Sequence, residues 1–144
     1  MSTYPSLVVH TAISSEPIHV IHHEDLVSHE HMGAVVSFAG VVRNHDGGEQ
    51  VDRLFYEGHP SAPEVLSAIA HKIAQEYAGV RIAVSHRIGM LEIGDVALAA
   101  AVASAHRAEA FAACAALVEQ VKKELPIWKN QYFTDGRSEW VGAL

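Results

Sequence analysis

Three ammonium groups crowd one proline corner of this chain, in the segment Lys122-Lys123-Glu124-Leu125-Pro126-Ile127-Trp128-Lys129. The whole sequence has ten lysines and arginines against seventeen aspartates and glutamates, so three basic residues in this one segment exceed what solubility requires. Proline has no N–H and its ring clashes with the preceding helical turn, so the chain must bend here. The bend can bring Lys122 and Lys129 toward one point. Two amines at a point suit an anion, and a desolvated lysine also serves as acid, base or nucleophile. For the segment taken alone, the alternative is a solvated basic helix end favoured by the helix dipole.

Other residues could join such a site. Arg43 ends an apolar run, Phe38-Ala39-Gly40-Val41-Val42, and opens a glycine-rich stretch. Its planar fork of donors matches a phosphate or carboxylate, though a plain surface arginine would look the same. Ser104-Ala105-His106-Arg107 stands at the start of a long helical pattern, where unpaired N–H groups attract anions and cations do not help the helix. His86-Arg87 falls at a strand end and is open to either a structural or a site role. Eleven histidines is many for this length, and His29-x-His31 near His22 and His23 invites a metal reading. No Cys or carboxylate set completes a recognisable ligand spacing, and His22, His23 and His29 sit on what reads as an exposed short helix, so no metal site is expected. Cys114 lies mid-helix in an apolar stripe, where packing is a better account than a nucleophile.

The elements that must position these residues follow from the pattern of apolar residues. Leu7 to Ile13 suggests a strand, His23 to Glu30 a short helix, and Ala34 to Val42 a strand ending at Arg43. Asn44 to Glu49 reads as a mobile loop, because Asp46-Gly47-Gly48 supplies turn conformations. Val51 to Glu57 then resumes as a strand pairing with the previous one in a hairpin. Val65, Leu66, Ile69 and Ile73 predict a helix over Pro60 to Tyr77, with Pro60 and Pro63 at its start. Val80 to His86 is a strand, and Ile88 to Asp95 a turn-rich connection. Val96 to Ser104 is either a buried strand or a helix. A helix from about His106 to Glu124 carries a core stripe of Phe111, Cys114, Leu117, Val118 and Val121. The irregular alternation, with a hairpin, predicts an α+β fold: one domain over 1–144, with an antiparallel or mixed sheet and flanking helices.

Composition excludes several function classes. The chain of 144 residues is 49% hydrophobic and 19% charged, ordinary for one globular domain. Its formal charge of −7 argues against nucleic acid, which needs a broad basic footprint. No apolar run is long enough to cross a bilayer, and no secretory layout opens the sequence. A single cysteine fits a reducing compartment, so a cytoplasmic location is expected.

Taken in order, these motifs resemble one family. Phe38-x-Gly40-x-Val42-Arg43-Asn44-His45 comes first, then Leu54-x-Tyr56-Glu57, then Ser85-His86-Arg87-Ile88-Gly89 followed by Gly94-Asp95. Ser104-Ala105-His106-Arg107, Lys122-Lys123-x-x-Pro126-Ile127-Trp128-Lys129 and Glu139-Trp140-Val141 complete the series. The sequence from about Ala34 to Val141 resembles the large, catalytic subunit of molybdopterin synthase. The resemblance implies an α/β hammerhead type of fold and a sulfurtransferase of molybdenum cofactor biosynthesis. Such an enzyme converts cyclic pyranopterin monophosphate to molybdopterin, taking sulfur from a thiocarboxylate on the C-terminal Gly-Gly of a small ubiquitin-like subunit. It implies a homodimer at the core of a heterotetramer, and neither a metal nor a redox cofactor. Carried over by motif, Lys122 and Lys129 match catalytic lysines, and Arg43, His106 and Arg107 match substrate-binding positions. The sequence departs from the family around His59-Pro60-Ser61-Ala62-Pro63, and at Glu139, where a basic residue is common; Glu139, with Arg137 two positions earlier, puts one phosphate contact in question. A non-catalytic module that binds anions or a ubiquitin-like tail is the competing reading, although docking alone has no use for a lysine pair.

Helix geometry adds an expectation of its own. His106 and Lys122 lie sixteen positions apart on one helix, roughly 24 Å along its axis. A small pterin cannot touch both within one chain, so a symmetric dimer is expected to bring His106 and Arg107 of one copy to Lys122 of the other.

Overall fold

A computed structural model describes residues 4–142. The chain runs β1 (Leu7–Ser14), α1 (Val20–Val27), β2 (Ala34–Val41), β3 (His45–Asp46), β4 (Glu49–Gly58), α2 (Ala62–Glu76), β5 (Arg81–Arg87), β6 (Gly89–Glu92), β7 (Val96–Ser104), α3 (Arg107–Glu124), β8 (Ile127–Phe133) and β9 (Ser138–Val141). It is α+β, with mixed and antiparallel pairing, as the sequence pattern predicts.

Two sheets divide the strands. The first has the order β1-β5-β7-β2, with β1 parallel to β5 and the other pairs antiparallel. The second has the order β3-β4-β8-β9, antiparallel throughout, with β6 also on β4. The ambiguous stretch Val96 to Ser104 is a strand at the heart of the first sheet, buried on both faces. Alternate residues serve opposite sides of it. Ala100 and Val102 join the main core with Leu66, Leu117 and Val121, while Ala101 and Ala103 pack with Val27 of α1. Alanines here let helices approach from both faces, which is why the segment shows no alternation of polar and apolar residues.

Several expectations are corrected. The hairpin between the Ala34 and Val51 strands does not form: β2 pairs with β7, and β4 with β8. The chain leaves the first sheet at Val42, tied to Asp95 and Gly94 by backbone bonds of 2.9 and 2.8 Å, and enters the second at His45. Asn44 to Glu49 is a tight hairpin rather than a loop, since His45–Asp46 pairs with Glu49–Gln50. Gly47 and Gly48 turn it with φ of 58° and 83°, the double positive φ that a two-residue hairpin turn needs. The first helix spans Val20–Val27, three residues earlier than expected at each end. Ser28 stops it by donating its hydroxyl to the Glu24 carbonyl, and Arg81 caps the carbonyls of Val27 and Leu26. His23, expected on an exposed surface, is only 2% exposed. Phe111 is 61% exposed instead of in the core stripe, because Ala110 and Ala113 occupy the helix positions that meet the sheet.

Gly33 fixes where α3 begins. A Cβ there would lie 2.5 Å from the backbone oxygen of Ala105, and the Gly33 N–H donates to the Ser104 carbonyl. Only glycine allows this close approach, which anchors the Ser104-Ala105-His106 segment.

Candidate active site

A cavity of about 370 Å³ opens where the two sheets meet. Register explains its walls. Gly40 of β2 and His86 of β5 both pair with Leu98 of β7, so the three form one row across the end of the first sheet. On the second sheet Tyr56 pairs with Lys129 and Leu54 with Gln131, and directly opposed residues share a face. All of these line the cavity. The bend at Pro126 completes it. Helix α3 ends at Glu124, Leu125 takes an extended backbone, and β8 starts at Ile127, with the Pro126 carbonyl accepting from the His59 N–H at 2.9 Å. This turn sets Lys122, in the last turn of α3, and Lys129, on β8, on the same cavity. Arg43 enters from the end of β2.

Three cations and one carboxylate, Asp46, therefore line the cavity of a chain whose formal charge is −7. Asp46 lies 3.5 Å from Arg43 and accepts from Gln131 Nε2 at 2.7 Å. The Gln131 bond, with help from Lys129 and Arg43, holds the Asp46 carboxyl below the usual range. Lys129 is half-buried, and that burial lowers its ammonium pKa. Asp46 opposes the shift, while Arg43 and Lys122 reinforce it. A lysine with a lowered pKa in a cationic cavity can give up a proton or use its lone pair on a carbonyl. An anion entering the cavity meets preset positive charge in a partly dry site, where each interaction counts for more than in water.

His86, open to two roles on the sequence, lines this cavity. Its Nδ1 lies 2.7 Å from the Arg87 carbonyl, which can only accept, so Nδ1 carries the proton and Nε2 the lone pair. Burial pushes its pKa down to about 4, and Lys122 adds to the shift, so the ring is neutral at pH 7. Its edge meets the Tyr56 ring at 5.1 Å. Arg87 instead braces the fold through an ion pair of 3.2 Å with Asp95, whose other contact is the Glu92 N–H.

His106 and Arg107 lie elsewhere. They stand at the opposite end of α3 from Lys122, with His106 as the residue before its first turn, and neither lines the cavity. Within one chain the structure thus joins Arg43, Lys122 and Lys129 and leaves His106 and Arg107 apart. Arg137 pairs with Asp135 and Glu49, and Glu139 lies in the β8–β9 ladder.

The remaining chemistry-bearing residues are bound into the fold. Cys114 is buried, and burial pushes its thiol up to about 11. The rings of His10, His22 and His23 come within 5.7–6.2 Å of one another. Both nitrogens of His23 are engaged, with the His19 carbonyl and the Ser85 hydroxyl, each at 2.7 Å. His31 stacks on Tyr4 at 3.6 Å.

Sequence reasoning missed Tyr56, Asp46 and Gln131 as cavity residues. Gln131 had a usable signal: it stands two residues after Lys129, hence on the same face once that segment is a strand.

Comparison with known proteins places this geometry. The profile of the family described as MoaE protein matches residues 13–124. A relative from Mycobacterium tuberculosis, named molybdopterin synthase catalytic subunit 1, is 40% identical over 131 residues, covering 90% of this chain and 88% of its own. The molybdopterin synthase catalytic subunit of Staphylococcus carnosus is 39% identical, covering 90% and 87%. The solved structure of molybdopterin synthase from Staphylococcus aureus superposes with a TM-score of 0.82 at 34% identity, covering 99% of this chain and 98% of that one.

Proposed function

The chain belongs to the MoaE protein family, and on that premise we propose that its cavity is where sulfur passes from a thiocarboxylate to cyclic pyranopterin monophosphate. The relatives' shared name, molybdopterin synthase catalytic subunit, makes the chain an enzyme of the sulfurtransferase kind. The observation that carries the site assignment is the convergence on one cavity of Arg43, from the link between β2 and β3, Lys122, from the end of α3, and Lys129, from β8.

The chemistry follows from charge. The substrate phosphate and the incoming thiocarboxylate are both anions and repel each other, so uniting them requires fixed positive charge. Arg43, Lys122 and Lys129 supply it around the one cavity. The thiocarboxylate sulfur forms a bond to a pterin carbon as a carbon–oxygen bond breaks, the oxygen leaving more easily once protonated; water then cleaves the resulting thioester, leaving sulfur on the pterin and returning the small subunit's carboxylate. Lys129, half-buried and among cations, is suited to move that proton. The thiocarboxylate belongs to the C-terminal Gly-Gly of a small ubiquitin-like subunit, whose extended tail fits a cavity at a sheet end. No metal or redox cofactor enters this step, and the reaction belongs in the cytoplasm. Among the described residues, no helix is long and apolar enough to cross a membrane.

His106 and Arg107 enter from a second copy of the chain. One helix separates them from Lys122, so a homodimer, the core of a heterotetramer with two small subunits, places them over the neighbour's cavity. Reconstitution with thiocarboxylated small subunit and cyclic pyranopterin monophosphate tests the reading. Dithiolene product should form with the wild type and be lost in Lys122→Ala. Binding of both ligands without product would reduce the chain to a docking module.

A further inference from the structure

The Gln131 carboxamide has a fixed orientation and an unmet acceptor. Its Nε2 lies 2.7 Å from Asp46 Oδ2, and a carboxylate only accepts, so the nitrogen must be the atom facing Asp46. The oxygen, Oε1, is buried and has no hydrogen-bond partner among the described residues. Gln131 is 1% exposed and yet forms part of the cavity wall, beside Lys129 on the same face of β8. A buried carbonyl with no protein partner, in the wall of a cavity, is matched by a donor that arrives beside it.

Which ligand group can supply the donor is a matter of chemistry. A phosphate or thiocarboxylate anion offers oxygen and sulfur lone pairs, which an amide oxygen repels. A pterin offers N–H groups along its pyrimidinone edge, at the far end of the fused rings from its cyclic phosphate. Lys129 and Gln131 are separated by about 7 Å along β8, so a cation and an acceptor stand side by side for the two ends of one molecule. His86 leaves a second neutral lone pair, on Nε2, in the same cavity.

We propose that Gln131 is a specificity-determining residue, whose Oε1 accepts an N–H from the pyrimidinone edge of the substrate while Arg43 and Lys129 hold the phosphate. Asp46 serves this role by holding the carboxamide with its oxygen free. The proposal rests on the function assigned above and deepens it.

Calorimetric titration of wild type and Gln131→Met with cyclic pyranopterin monophosphate, and separately with inorganic phosphate, tests it. Methionine keeps the length and removes both donor and acceptor. The pterin should bind Gln131→Met about ten-fold more weakly, or worse, with phosphate binding within about two-fold of wild type. Equal pterin affinity, or an equal loss for pterin and phosphate, overturns the role of Gln131. A wild-type protein that binds phosphate but no pterin overturns the functional assignment itself, and the proposal with it. If Gln131→Met does not fold, wild type is titrated with the pterin methylated at its pyrimidinone N–H. The same loss is then expected, and undiminished binding refutes the proposal.

Discussion

Two inactive variants of this chain should restore each other. His106 precedes the first turn of α3 and Lys122 lies in its last, so the two ends of the helix stand roughly 24 Å apart at 1.5 Å per residue. A site needing both Lys122 and Arg107 must then draw them from different copies. Arg107→Ala removes charge-assisted contacts worth about 1.5–3 kcal/mol, a loss of roughly ten-fold to over a hundred-fold at each site. Lys122→Ala removes one of the two lysines that line the cavity and that we propose carry the transfer. Equal amounts of the two variants, exchanged to equilibrium, give about half mixed dimers, and one of the two sites in each mixed dimer unites an intact Lys122 with an intact Arg107. Dithiolene formation should therefore recover to about one quarter of wild type, well above either variant alone. Both lesions in one chain, mixed with wild type, make a control: its mixed dimers have one damaged residue at each site and add nothing. Activity of the mixture no higher than the average of the two variants would refute the shared site.

Other predictions follow from buried groups and close approaches. His86 titrates near 4 in the folded chain against an ordinary 6.5, so unfolded chains take up its proton first as pH falls. Its contribution to stability is complete above pH 6.5 and is lost down to pH 4, about 3 kcal/mol in all; urea unfolding at pH 7 and pH 4 should show a smaller pH-dependent loss in His86→Gln. Cys114, buried with its thiol pushed up to about 11, should react with a disulfide reagent at pH 8 only after denaturant is added. Gly33→Ala forces a methyl against the Ala105 carbonyl and should cost about 1–3 kcal/mol in chemical denaturation.

The site was legible where single residues broke a local rule. Pro126 announced a bend between two lysines in an acidic chain, and Arg43 ended an apolar run, so the cations of the cavity could be named without coordinates. Partners brought by strand register could not. Gln131 faces Tyr56 and Leu54 only through the pairing of β8 with β4, strands far apart in sequence, and Asp46 only once the segment after Arg43 folds back as a hairpin rather than a loop. The false hairpin came from Val96 to Ser104, whose alanines carry no period because both faces are covered: without β7, the β2 strand had no visible partner other than β4. Phe111 misled because apolar spacing does not say which of two adjacent helix positions faces the core, and His23 because its burial depends on Ser85, sixty-two residues away.

If the cavity between Arg43, Lys122 and Lys129 receives the substrate, a crystal structure of the chain with cyclic pyranopterin monophosphate will show it there. The phosphate should lie within hydrogen-bond distance of Arg43 or Lys129, with His106 and Arg107 of a second copy closing over the same molecule. Substrate bound away from this cavity, with Lys122 and Lys129 facing only solvent, would overturn the assignment.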